Sequence, residues 1–191
     1  MSDAALILES LSRAVPGVAF ERVDAGDGMP TLYVPVEHLV ATALALRDTP
    51  DLRFAFLADL LPVDYLPRQP RFEIVYLLAS LGVAGFGRTP QRLRLKVRVS
   101  GGADAPVPSV SEVWPAAGWS EREAFDLFGI HFSGNADLRR ILMPDDWDGH
   151  PLRKDYPVQI KMAVKTYEPL QVTQDQFVAH IEATRDRARH D

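Results

Sequence analysis

The sequence predicts an α+β fold in which two helices lie against a mixed sheet in the order α-β-β-α-β-β-β, followed by a short helix and an extended proline-rich arm. Three observations predict it. Apolar residues recur at helical spacing in only two stretches of the first hundred residues, and strand-sized runs otherwise follow one another without crossover helices, which disfavours a doubly wound sheet. No GxGxxG or GxxxxGKS/T run is present to cradle a phosphate. After Gly101-Gly102 the chain is interrupted by Pro106, Pro108, Pro115, Pro144, Pro151 and Pro157, so long regular elements become scarce.

In the first stretch, Ala4, Ile7, Leu8, Leu11 and Val15 repeat every three to four residues behind Ser2 and Asp3, which can cap open N–H groups, and Pro16-Gly17 ends the helix. Residues 18–23 and 31–36 read as short strands around the turn Asp24-Ala25-Gly26-Asp27-Gly28, a hairpin signal. From 36 to 47, Val36, Val40 and Leu44 share a face with Leu39 and Ala43, a second helix stopped by Asp48-Thr49-Pro50. Three further runs, 53–61, 71–80 and 92–99, are rich in β-branched, aromatic or leucine residues and separated by proline and glycine. The last alternates, with Leu93, Leu95, Val97 and Val99 on one side and Arg92, Arg94, Lys96 and Arg98 on the other. One face is core; the basic face is either solvated or a dock for an acidic partner.

Ser120 with Glu123 three residues on forms a capping box, and Gly129 sits where a left-handed C-cap belongs, so a helix is predicted over 121–128. Residues 131–157 hold too many prolines, glycines and charges for a core of their own, yet they include Phe132, Leu138, Ile141, Leu142, Met143 and Trp147, and need a surface to lie on. Thr173 caps a final helix with Phe177 and Ile181 on one face, before the charged ending ATRDRARHD. The expected division is an α+β domain over 1–102, a helix and interface arm over 103–157, and a partly helical tail over 158–191.

Composition narrows the function. With 191 residues, 47% of them hydrophobic, the chain can bury one core and add an extended segment. It contains no apolar run of membrane-spanning length, and its first residues, MSDAALILES, lack the basic start of a secretory leader, so it is expected to remain in the cytosol. The absence of cysteine excludes disulfides, thiolate zinc sites, cysteine nucleophiles and cysteine-held iron–sulfur clusters. A net charge of -5 argues against general nucleic-acid binding.

Candidate chemistry is sparse. Glu121, Glu123 and Asp126 suggest an acid-base or metal site, but acids near a helix N-terminus more simply complement the macrodipole, which is the reading favoured. In PDDWDGHPLRKD, Asp146, Asp148, Gly149 and Asp155 fall at EF-hand-like positions, but Pro144 occupies the position of the first ligand, so the segment reads as a hydrogen-bonded polar loop. His150 has no second histidine at ligand spacing and suits a backbone hydrogen bond in a Gly-His-Pro turn. No GxSxG elbow is present. Arg139-Arg140 and Arg153-Lys154 bracket Asp145-Asp146 and Asp148 around Trp147, a mix that suits an interface with desolvated ion pairs.

The stretch WPAAGWSEREAFDLFGIHFSGNADLRRILMPDDWDGHPLRKDYP closely resembles the signature segment of the 30 kDa subunit family of respiratory NADH:quinone oxidoreductases, the C-type subunit of bacterial complex I (NDH-1). Glu121-Arg122-Glu123, Asp126, Leu127-Phe128 and Arg139 match that family's pattern. Asn135 stands where the pattern has His or Lys, and Ala136 where Pro is usual, a swap that removes a possible cationic contact. RFEIVYLLAS and RLRLKVRVS resemble the family's sheet strands, and VPSVSEVWPAAGW its linker into the signature helix.

The resemblance implies a signature and subunit-interface set made of Glu121, Arg122, Glu123, Asp126, Phe128, Arg139, Arg140, Asp145, Asp146, Trp147, His150, Arg153, Lys154, Asp155 and Tyr156. It implies no catalytic, cofactor-binding or metal-binding residue in this chain, with FMN and the iron–sulfur clusters held by partner subunits. The expected partners are the quinone-chamber (D-type) subunit and the cluster-bearing B-type and I-type subunits. NADH and quinone are engaged by the whole complex, which couples electron transfer to proton pumping. The expected location is peripheral, on the cytoplasmic face of the bacterial inner membrane and attached through partners. Alternatives are the equivalent subunit of an energy-converting hydrogenase or other-donor dehydrogenase and, more remotely, a metal-dependent hydrolase using Asp145, Asp146 and His150. A chain ending after Ser111 is expected to leave a foldable domain unable to join the complex.

Overall fold

Helix α1 (Asp3–Ala14) buries Ala4, Ile7 and Leu11, the stripe its spacing predicts, and packs against α2 (Leu39–Asp48). A computed structural model describes residues 3–82, 90–157 and 173–187; the cap expected of Ser2 and the last residues of the tail lie outside them. Between the helices, β1 (Glu21–Val23) and β2 (Thr31–Tyr33) pair antiparallel as the predicted hairpin. A 3-10 turn over Val36–His38 leads into α2. The buried face of α2 is Leu39, Thr42, Ala43 and Leu46, whereas Leu44, expected on the core face, is exposed. The turn shifts the start of the α-helical period to Leu39 and so rotates the buried stripe.

Three long strands follow: β3 (Phe56–Asp64), β4 (Phe72–Leu81) and β5 (Pro90–Val99). They pair antiparallel in sequence, while β5 also pairs parallel with β2, giving a mixed five-stranded sheet in the order β1-β2-β5-β4-β3. The predicted α+β class and element order hold. The parallel β2-β5 contact required the chain to return past the hairpin, which no local pattern encodes.

Two strands were not anticipated. β6 (Gly102–Pro108) and β7 (Ile130–Ser133) form a separate parallel pair around α3 (Ala117–Phe128). Helix α3 starts three residues before Ser120, which therefore is not its cap; turns beginning at Val110 carry the chain into the helix through Pro115. Its C-terminus is as expected, with Gly129 left-handed at φ 69.

The core continues past Gly102. Val107, Val110, Val113, Trp114, Ala117, Ala124, Ile130 and Phe132 join the residues of α1, α2 and the sheet in one cluster, and the Trp114 indole donates to the Phe54 carbonyl at 3.0 Å. A chain ending after Ser111 would lose Val113, Trp114, Ala117, Ala124, Ile130 and Phe132 from this core. Met1–Pro157 form one unit and Val158–Asp191 another. Within the second, α4 (Gln174–Arg187) carries the predicted cap, the Gln176 amide donating to Thr173 Oγ1 at 3.3 Å, and Phe177, Val178 and Ile181 are exposed. No helix among the described residues is long and apolar enough to cross a membrane.

Candidate functional site

The last turn of α3 ends in carbonyls that have no partner within the helix. The arm supplies those partners. Arg153 donates to the Phe128 carbonyl, the Leu152 amide to that of Leu127 at 3.1 Å, and His150 Nδ1 pairs with that of Asp126 at 2.9 Å. Residues 139–153 thus cap the helix from outside it, as a lysine or arginine near a C-terminus can do. Gly129 makes the approach possible: a Cβ there would stand 2.5 Å from both Arg153 Nη2 and the His150 ring.

Asp126 anchors the arm's first half. One carboxylate oxygen accepts the backbone amides of Ile141, Leu142 and Met143 at 3.0, 2.7 and 2.8 Å, and the other accepts Arg140 at 2.7 Å. Burial alone would raise its pKa, but these amides and the guanidinium reverse that and hold it at about 2. Arg140 reaches on to the carbonyls of Trp147 and Gly149, and Arg122 holds those of Arg139 and Arg140, both at 2.6 Å.

Glu121 lies five residues earlier on α3 and is fully buried. It accepts Ser109 Oγ at 2.6 Å, the Val110 amide at 2.8 Å and Asn135 Nδ2 at 2.8 Å, tying α3 to the segments on either side of it. Desolvation raises its pKa, because all three donors are neutral. Asn135, which departs from the signature pattern, therefore supplies a neutral donor to this carboxylate.

A second fastening joins the arm to the sheet. Arg71, at the entry of β4, bridges Asp64 and Asp155 at 2.6 and 2.7 Å, and the Lys154 amide donates to Asp64 at 2.8 Å. Hydrogen bonding to Arg71 holds Asp64 well below the usual carboxylate range.

The structure thus brings Glu121, Arg122, Asp126, Arg140, His150 and Arg153 together on one helix and its cap. Glu121 and Asp126 do not serve the helix macrodipole, as composition suggested; both are buried and bind loops. Glu123 is exposed, Phe128 packs edge-on against Phe72, and Asp145, Asp146, Lys154 and Asp155 lie at the surface. Arg139 pairs with Asp137, and the Tyr156 hydroxyl donates to the Asp148 carbonyl. Trp147 is half-buried, with its indole N–H enclosed. Sequence reasoning missed Asp64, Arg71 and Ser109: each acts on a residue far along the chain, and the single polar side chains carry no motif.

Three of the four cations on the basic face of β5 are matched within the chain, and the fourth, Arg92, is exposed. Arg94 pairs with Asp27 at 2.6 Å, Lys96 with the buried Glu73 at 2.9 Å and Arg98 with Glu21 at 2.8 Å, and Arg68 also binds Glu73. A cleft of about 570 Å³ lies elsewhere, between the Asp27–Pro30 turn and the ends of β4 and β5, and none of the signature residues lines it. Among the described residues no group of three or more His, Asp or Glu could hold a metal ion.

Fold and site define an α+β protein whose proline-rich arm is clasped to its own third helix. The family model of the respiratory-chain NADH dehydrogenase 30 kDa subunit matches residues 32–161. The C-type subunit of NADH-quinone oxidoreductase from Roseiflexus sp. strain RS-1 is 43% identical, covering 93% of this chain and 95% of its own. That of Roseiflexus castenholzii is 47% identical over 78% and 79%. Among solved structures, a trypsin-resistant fragment of Nqo5 is 32% identical with a TM-score of 0.51, covering 72% of this chain and all of its own. A chain of the membrane-bound sulfane sulfur reductase, an archaeal respiratory membrane complex, shares the fold, with a TM-score of 0.65 at 22% identity over 81% and 85%. The chain belongs to the family of the 30 kDa subunit of respiratory-chain NADH dehydrogenase.

Proposed function

We propose that this chain is the 30 kDa-type subunit of a proton-translocating NADH:quinone oxidoreductase and that it works as a scaffold with no reaction centre of its own. The observation that carries the reading is the fate of the signature residues. The charged groups of Glu121, Arg122, Asp126, Arg140 and Arg153 are spent on helix-end carbonyls, arm carbonyls and amides, and buried carboxylates, which shapes a surface rather than a reaction. NADH oxidation at FMN and electron passage through iron–sulfur clusters are assigned to partner subunits, in keeping with a sequence that has no cysteine to hold a cluster. The expected neighbours are the quinone-chamber (D-type) subunit and the cluster-bearing B-type and I-type subunits. The expected location is the cytoplasmic face of the bacterial inner membrane, with attachment through those partners.

The test is to tag the full chain in its native host, solubilise membranes gently and assay the eluate. Co-elution with flavin- and cluster-bearing subunits and inhibitor-sensitive NADH:quinone reductase activity is expected. A lone soluble chain from cells that contain the assembled enzyme overturns the proposal.

A further inference from the structure

The clasp decides which side chains of α3 and the arm remain outside. Trp119, Ile141, Leu142 and Leu152 are 65, 37, 59 and 53% exposed. They sit on connected supports. The Trp119 ring lies beside the Arg122 guanidinium, which holds the carbonyls of Arg139 and Arg140. The next two residues are Ile141 and Leu142, whose amides are turned inward to Asp126, and Leu152 hangs from the neighbouring Leu127 carbonyl. Because the backbone is already ordered by these bonds, a partner meeting the side chains would immobilise little further chain. Large apolar side chains left outside on an ordered support, a tryptophan among them, are the composition of an interface centre.

Charge states what the partner must offer. Arg122, Arg140 and Arg153 point inward to carbonyls and to Asp126, so their charge is withdrawn from the surface. The acidic residues Asp145 and Asp148 are exposed. Between Asp137 and Pro157 the exposed cations are Lys154 and Arg139, and the latter is paired with Asp137. We propose that the strip formed by Trp119, Ile141, Leu142 and Leu152 is the surface by which this chain docks in its complex, and that the partner presents an apolar patch rimmed by lysine or arginine. The expectation from sequence is an interface with desolvated ion pairs drawn from both signs of charge around Trp147; here the acidic side is the one left for a partner. The inference rests on the subunit reading above.

The experiment uses the tagged full-length chain in its native host, as wild type, Leu142→Glu, and the double variant Asp145→Lys/Asp148→Lys. All three sites are exposed, and equal urea midpoints of the three purified chains establish that folding is intact. Retention of the other subunits on the tagged chain is expected to fall at least about tenfold for Leu142→Glu, the loss that one interface-centre side chain carries. The double variant is expected to release the complex at a salt concentration the wild type withstands, since opposed exposed charges are screened by salt. If wild type retains the active complex and Leu142→Glu retains it equally, the strip is not the docking surface although the subunit reading stands. If the double variant holds as tightly as wild type or more so, the basic rim is overturned. If wild type retains no subunits, both readings fall.

Discussion

Asp126 and Arg140 are fourteen residues apart in sequence and their charged groups are 2.7 Å apart, with the same carboxylate accepting three consecutive amides of the arm. A carboxylate that meets one guanidinium and three amides is fully satisfied without water, which is what allows it to be buried at the end of α3.

Replacing Asp126 with alanine leaves Arg140 and three amides without their acceptor, and should cost about 3–5 kcal/mol, the range for breaking a buried charge pair. Urea denaturation of the full chain at pH 7 measures it. A loss below about 1 kcal/mol would show that the arm is held by its other contacts.

The same carboxylate sets an acid limit. Its pKa is held at about 2 in the folded chain, below the ordinary value near 3.8, so it contributes stability that is complete above about pH 4 and lost as pH falls towards 2. The contribution is about 2.5 kcal/mol. Asp126→Asn should flatten the fall in urea midpoint between pH 5 and 2; an unchanged slope assigns acid lability to other groups, Asp64 among them.

Glu121 has the opposite sign. Burial raises its pKa, so its stabilising contribution is fullest below its unfolded pKa and declines as pH rises through the folded value. Glu121→Gln cannot ionise, so its stability deficit relative to wild type should shrink as pH goes from 4 to 8. A deficit constant across that range refutes the assignment.

Gly129 and Gly134 separate conformation from space. Both have left-handed backbones, at φ 69 and 88, but an added Cβ meets Arg153 and His150 at 2.5 Å in the first and nothing nearer than 3.9 Å in the second. Gly134→Ala should cost about 1 kcal/mol for the backbone alone, and Gly129→Ala about 2–3 kcal/mol with faster proteolysis of residues 139–157. Equal costs and equal cleavage rates would mean that the arm does not depend on this close approach.

Lys96 and the buried Glu73 should be energetically coupled across β5 and β4, because the pair is largely shielded from solvent. A double-mutant cycle with Lys96→Met and Glu73→Gln is expected to give about 1–3 kcal/mol of interaction energy. Additive effects would show that Arg68 alone suffices to hold the carboxylate.

The sequence by itself determined the elements whose signal is local. Apolar spacing in 4–11 placed α1, alternation in 92–99 placed β5 and its core face, Gly129 marked the end of α3, and the segment from Trp114 to Pro157 carried the family. These follow from side-chain period and backbone preference, which act over a few residues. What only the tertiary structure decided is where charge goes. Asp126 and Glu121 looked like helix-start acids because sequence shows neither Arg140 folding back nor the loop of Ser109 and Asn135 closing over the helix. The basic face of β5 was ambiguous because its acids, Glu21, Asp27 and Glu73, come from three separate parts of the chain. Ion pairs and helix caps between distant segments depend on which surfaces the chain brings together, and that is settled only when one core is buried and the remaining polar groups must find partners within it.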